Sequence, residues 1–125
     1  MIHVSCAIIE HQDKILICQR SITMSLPLKW EFPGGKLEAD ESKEDCLTRE
    51  IKEELNIDIT IGRELPMVEY RYPEFLICLY PFECTLRGGE LQATEHAQVI
   101  WVDKAELSNY EWAEADIPIV QKLLK

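Results

Sequence analysis

Four glutamates and an arginine behind a double glycine are the residues of this chain whose types and spacing can do chemistry. From Gly35 to Ile57 it reads GKLEADESKEDCLTREIKEELNI, which places Glu41, then the adjacent Arg49 and Glu50, then the adjacent Glu53 and Glu54. On a helix Glu50, Glu53 and Glu54 fall at i, i+3 and i+4 and share one face. Like charges so spaced repel by about 0.2–0.5 kcal/mol per pair even on an open surface. An acidic helix face is ordinarily just solvated. Here a divalent cation among the acids would remove the repulsion, and hard carboxylate oxygens suit Mg²⁺ or Mn²⁺.

The elements that must position these groups follow from the flanking pattern. A helix is expected from Lys43 to Leu55, with Leu47, Ile51 and Leu55 as its apolar stripe. Ser42 with Asp45 resembles a capping box, and Asn56 suits a left-handed stop. Residues 2–10 and 14–19 read as two apolar strands turning at His11-Gln12-Asp13, and 21–29 as a loop. Trp30-Glu31-Phe32 is a short extended piece ended by the turn signal Pro33-Gly34-Gly35. From Ile57 to Leu86 two or three strands are expected, with breaks near Gly62 and Pro73. Gly88-Gly89 marks a turn, residues 99–102 a strand, and Lys104 to Leu107 a helical turn. A last helix is expected over Ile117 to Leu124, with Asp116 as its N-cap and Pro118 in its first turn. Strands with helices on both sides imply an α/β sandwich around a mixed sheet, whose strand order this pattern does not reveal.

Length and charge bound the function. The 125 residues, 46% of them hydrophobic, fit one domain spanning 1–125. No segment reads as a signal peptide or approaches the ~18 apolar residues of a membrane span, so a cytoplasmic protein without a membrane partner is expected. The net charge of −10 argues against a nucleic-acid polymer as partner. A small phosphate ligand stays compatible with it, because bound cations reverse the local field. Five cysteines without a CxxC pair read as free, buried side chains, and the three histidines offer no zinc spacing.

The acidic stretch resembles the Nudix box, G-x5-E-x7-R-E-U-x-E-E-x-G-U with U aliphatic: Gly35, Glu41, Arg49, Glu50, Ile51, Glu53, Glu54 and Ile57 all fit. Asn56 stands at the late glycine and tolerates the same left-handed conformation. The preceding WEFPGGK (Trp30–Lys36) resembles the MutT branch, AIIEHQDKILICQR its N-terminal hairpin, and ADIPIV its base-contacting segment. Within the branch, ADIP looks most like the bacterial CTP pyrophosphohydrolases.

The resemblance implies a Nudix-type α/β/α sandwich and a Mg²⁺-dependent (or Mn²⁺-dependent) pyrophosphohydrolase, turning a nucleoside triphosphate and water into the monophosphate and pyrophosphate. It implies Glu50, Glu53 and Glu54 as catalytic acids; one of these carboxylates must take the water proton, and Glu50 is favoured although family members differ in which acid does so. Glu50, Glu53, Glu54, Glu95 and the Gly34 carbonyl would hold the metal. Glu41 and Arg49, otherwise a surface ion pair, would brace the glycine loop against the helix. Arg20, Glu31, Phe32, Pro33, Gly34, Lys36 and Asp116 would contact substrate. Arg20 and Lys36 read equally well as solvated charges, and Asp116 is already explained as a cap. An ionised Asp116 accepts hydrogen bonds only, which matches the exocyclic amine of cytosine. Cytosine nucleotides (CTP, dCTP and modified dCTP) are therefore favoured, with 8-oxo-dGTP as the alternative. Trp30, Phe32, Tyr72 and Trp112 are candidates for stacking on the base, and Tyr110 and Trp112 for lining the mouth. The rival readings are a nucleoside-diphosphate-conjugate hydrolase and a nucleotide-binding module without catalysis. A monomer or a homodimer is compatible with either.

Overall fold

The N-terminal apolar run organises the sheet. A computed structural model describes residues 1–125. In it β1 (Ile2–His11) pairs in parallel with β7 (Leu76–Gly89) along almost its whole length. The remaining strands are β2 (Lys14–Gln19), β3 (Trp30–Glu31), β4 (Gly34–Lys36), β5 (Ile57–Glu64), β6 (Val68–Arg71) and β8 (Gln98–Asp103). The central order is β3-β2-β1-β7-β5, with β4 on β1, β6 on β7 and β8 on β2, and only the β1–β7 pairing is parallel.

Strand β1 changes partner midway. Glu10 and His11 pair with β2, whereas Val4, Ser5 and Cys6 pair with Lys36, Gly35 and Gly34 of β4. The hairpin strands thus diverge, and the double glycine fills the gap between them.

Alternation divides the core into two layers, since successive strand residues face opposite sides. Ala7, Ile9, Leu16 and Cys18 pack with Leu47, Ile51 and Leu55 of helix α1 (Lys43–Leu55). Cys6, Ile8, Ile15 and Ile17 pack on the other side with Ile119 and Val120 of helix α2 (Ile117–Leu123). The result is the α/β/α sandwich around a mixed sheet. Burying each of Leu47, Ile51 and Leu55 contributes about 1.5–3 kcal/mol, which outweighs the repulsion between acids on the opposite face of α1.

Helix α1 begins where expected: the Ser42 side chain accepts from the Asp45 amide at 3.0 Å. It stops at Asn56, whose φ of 58° and ψ of 33° are left-handed. All five cysteines are free and buried, and no helix is long and apolar enough to cross a membrane.

Four local expectations are corrected. The glycines after Pro33 form β4 rather than a turn, because β1 offers them a free edge. Gly62 does not end β5; the strand shifts register between Ile61 and Glu64 and continues. Gly88 and Gly89 close no turn but extend β7 alongside Asp58 and Ile57. Asp116 makes no side-chain cap on α2. Its Oδ2 accepts instead from the Phe32 amide at 3.0 Å, a buried donor that β3 leaves without a ladder partner.

Candidate active site

Arg49 builds the site from the helix outward. Its Nε and Nη2 donate to Glu41 Oε2 and Oε1 at 2.7 and 2.9 Å, while Nη1 reaches Glu50 Oε1 at 2.8 Å and Glu53 Oε2 at 3.4 Å. Glu41 Oε1 also accepts from the Glu38 amide at 3.0 Å. One planar guanidinium therefore ties the loop after β4 to the acidic helix face, a task for which its fork of donors is suited. The hydrogen bonds from Arg49, with the Glu38 amide, hold the Glu41 carboxyl down to about 2.

The same face carries a carboxylate in the opposite condition. Burial first, and then the negative charges of Glu50, Glu31 and Glu95, push the Glu54 carboxyl up to about 8, with the Gly34 amide opposing them. Its Oε1 is buried and has no hydrogen-bond partner. Burial likewise raises Glu50, against the pull of Arg49.

The loop carrying Glu95 is fastened by the helix end. Carbonyls in the last turn of α1 lack intrahelical partners. Thr94 Oγ1 donates to the Glu54 carbonyl at 2.8 Å, the Gln92 amide to the Leu55 carbonyl at 2.9 Å, and the Ala97 amide to the Gln19 carbonyl at 2.9 Å. The helix terminus is satisfied by the segment that brings Glu95 to the mouth of the cavity.

That cavity has a volume of about 450 Å³. Its wall combines charged groups, Glu54, Glu95, Lys36, Glu31 and Arg20, and the Gly34 backbone with Phe32, Tyr72, Asp116 and apolar side chains of β1 and β7. Arg20 is fully engaged: Nε donates to the Ser25 carbonyl at 2.6 Å, Nη2 to Ser25 Oγ at 3.0 Å, and Nη1 to Glu31 Oε1 at 2.7 Å. Glu31 Oε2 lies 2.9 Å from His96 Nε2, so both its oxygens are partnered. Phe32 stacks on Trp112 with ring centroids 4.8 Å apart. Burial, then the Glu31 charge, pushes the Asp116 carboxyl up to about 8, although the Phe32 amide opposes the shift.

Not every anticipated residue reaches the cavity. Glu50 turns towards Arg49, and the largely exposed Glu53 also faces that guanidinium. Pro33 is fully buried, its carbonyl accepting from the Ala7 amide at 2.8 Å. Trp30 and Trp112 are core residues that bridge each other, and Tyr110 packs edge-on against Trp30. Sequence reasoning missed His96, whose side chain is 1% exposed and whose Nδ1 has no partner. It also missed the Ser25 tie and the hydroxyl of Tyr72. The His96 and Tyr72 contacts have no spacing signal because they join residues that meet only through the fold, and the Ser25 tie lies within an irregular loop that has no period to read.

The donor set fits a hard divalent cation. An orphaned carboxylate oxygen amid other carboxylates is a group seeking a positive partner. No three acidic, histidine or cysteine side chains form a ready metal cage, and Arg49 holds Glu50 Oε1 at 2.8 Å.

Fold and site together define an α/β/α hydrolase whose helix carries Glu54 to the wall of a substrate-sized cavity. The chain belongs to the Nudix hydrolase family: the NUDIX domain model matches residues 1–123. It is 38% identical over 124 residues to the CTP pyrophosphohydrolase of Escherichia coli (strain K12), covering 99% of this chain and 92% of the relative. It is 36% identical over 91 residues to the 8-oxo-dGTP diphosphatase of Proteus vulgaris, covering 72% and 81%. Among solved structures it matches the solution structure of the E. coli ORF135 protein with a TM-score of 0.86 at 38% identity, covering 99% of this chain and 89% of that one.

Proposed function

We propose that the protein is a Mg²⁺- or Mn²⁺-dependent nucleoside triphosphate pyrophosphohydrolase that favours cytosine nucleotides and releases the monophosphate and pyrophosphate. The observation that carries this reading is Glu54, a carboxylate with a buried, unpartnered oxygen in the wall of a cavity that Phe32 and Asp116 also line. A cavity of this size with both charged and aromatic lining suits a charged polyphosphate joined to a flat base.

Glu50, Glu53, Glu54, Glu95 and the Gly34 carbonyl are the groups that would hold the ion. When bound, such an ion would neutralise polyphosphate charge and lower the pKa of water, so that a hydroxide is available to attack phosphorus. The chain's own residues do the rest. Arg49 holds Glu50 Oε1 and leaves Oε2, which lies against Gly35, to accept the water proton. Lys36 at the cavity wall, and Arg20 once released from Ser25, supply positive charge to the phosphates.

Asp116 supports the cytosine preference, as does likeness to the E. coli CTP pyrophosphohydrolase. One observation favours the second reading, an oxidised-guanine diphosphatase. With its carboxyl pushed up to about 8, Asp116 keeps a proton near neutrality and can donate as an asparagine does. Contact with an amine donor restores the ionised, accepting form.

The test is release of monophosphate and pyrophosphate from CTP, dCTP, 5-methyl-dCTP, dGTP and 8-oxo-dGTP, with and without Mg²⁺. Metal-dependent turnover led by the cytosine compounds is expected. A dominant rate on 8-oxo-dGTP would overturn the base preference, and no release from any would overturn the proposed activity.

A further inference from the structure

The hydroxyl of Tyr72 has a role that its ring alone does not explain. Tyr72 lies just before the turn between β6 and β7, where its amide donates to the Phe75 carbonyl at 2.9 Å. Its ring is wedged against Tyr70 and Phe75, with centroids 4.7 and 5.1 Å away, and only 7% of the residue is exposed. The phenol is therefore held in place before any ligand arrives, as a reading group must be.

What that oxygen touches is informative. It accepts from the Ala115 amide at 3.0 Å, one residue before Asp116, and Tyr72, Ala115 and Asp116 all line the same cavity. A phenolic proton lies in the ring plane on one side of the oxygen or the other. The Ala115 amide takes one side, so the proton is directed to the other, and the hydroxyl donates to no protein acceptor. With no protein group accepting its proton, the hydroxyl is free to donate to a ligand in the cavity that Tyr72 lines. Burial, reinforced by Glu114 and Asp116, raises the phenol further, so it keeps its proton throughout the neutral range.

The cavity wall thus presents Asp116, an acceptor once contact with an amine restores its ionised form, and beside it a fixed donor, Tyr72. Cytosine carries the complementary pair on its Watson–Crick edge: the exocyclic amine donates and the neighbouring ring nitrogen N3 accepts. We propose that Tyr72 is a specificity-determining residue whose hydroxyl donates to this ring nitrogen while Asp116 accepts from the amine. The inference rests on the cytosine reading of the site. The apolar body of the phenol belongs to the core, and the hydroxyl is the part that selects.

The alternative is that the hydroxyl merely pins the segment bearing Asp116. Removing it would then weaken every substrate alike. The discriminating substrate is 3-deazacytidine triphosphate, in which C–H replaces N3 and all other groups remain. kcat/KM is measured for CTP and the 3-deaza analogue with the wild-type enzyme and with Tyr72→Phe, both saturated with Mg²⁺. The wild type should prefer CTP by roughly ten- to hundredfold, the scale of one hydrogen bond lost in a desolvated site. Tyr72→Phe should lose most of its rate on CTP but little on the analogue, so that the ratio falls towards unity. Equal losses on both substrates would overturn the proposal and leave a pinning role. A wild type indifferent to the 3-deaza change would overturn it without any variant, whether or not Tyr72→Phe folds. Failure of the underlying reading is told apart by the wild type alone: a preference for dGTP or 8-oxo-dGTP over CTP removes the cytosine assignment and this inference with it.

Discussion

Arg49 grips Glu41 through two parallel hydrogen bonds, Nε to Oε2 at 2.7 Å and Nη2 to Oε1 at 2.9 Å, and with its remaining nitrogen holds Glu50 at 2.8 Å. A lysine offers one point charge and cannot make this fork. Arg49→Lys should therefore lower kcat/KM by about a hundredfold, the scale of a small misplacement of a reacting group. The melting temperature should change little, because solvent-screened pairs contribute little to stability. Normal kcat/KM in this variant would show that the fork does not position Glu50.

The unpartnered oxygen of Glu54 predicts how the fold responds to metal. Binding to the native state alone stabilises it by about 2.7 kcal/mol when the ligand stands at a hundred times its Kd. Mg²⁺ should raise the melting temperature of the wild type and leave Glu54→Gln almost unmoved. In the metal-free state Glu54→Gln should melt no lower than the wild type above about pH 8, where Glu54 carries a charge among other carboxylates and the amide does not. Turnover of Glu54→Gln should fall by orders of magnitude. An undiminished Mg²⁺ shift in Glu54→Gln would place the cation elsewhere.

How far the residues foretell this arrangement depends on how far along the chain each interaction reaches. Helix α1, its Ser42 start, its Asn56 stop and its Arg49–Glu41 brace all lie within one short stretch, where spacing and caps are readable. The Phe32–Asp116, Glu31–His96 and Tyr72–Ala115 contacts join distant segments, and no local pattern encodes them. The local reading of Asp116 as a cap failed because the Phe32 amide competes for the same oxygen. The glycine turn at Gly88 failed for a related reason. Asp58 and Ile57 of β5 offer those glycines a partner that the local sequence does not reveal.

Asp116 predicts a pH dependence of stability. The folded protein holds its carboxyl proton up to about 8, against an ordinary value of 3.8. Its favourable contribution is fully present below 3.8, is lost as pH rises, and is gone above about 8. The amide introduced by Asp116→Asn would still offer an oxygen to the Phe32 amide and has no proton to lose. This variant should thus melt progressively higher than the wild type between pH 6 and about 9, a window chosen to bracket the shifted value. Saturating Mg²⁺ is needed, because Glu54 is itself raised to about 8 and must be held in one state. A melting difference that stays constant across this window would show that Asp116 is ionised throughout.

The two glycines of β4 should fail in different ways when each receives a methyl group. At Gly34 a Cβ would collide with the Ser5 carbonyl oxygen and approach the Cys6 Cα at 2.8 Å, both of them β1 backbone held in the sheet. At Gly35 it would collide with the carboxyl end of Glu50 and lie 2.7 Å from its Cγ, atoms of a side chain that can swing away. Gly34→Ala must move the sheet, and should destabilise the fold by about 1–3 kcal/mol, the usual scale of overpacking. Gly35→Ala should melt close to the wild type yet lose turnover, because the cost falls on the position of Glu50. Thermal melts and kcat for both variants decide the matter. A Gly35→Ala enzyme that is stable and fully active would show that Glu50 need not rest against the glycine, and would remove it as the acceptor of the water proton.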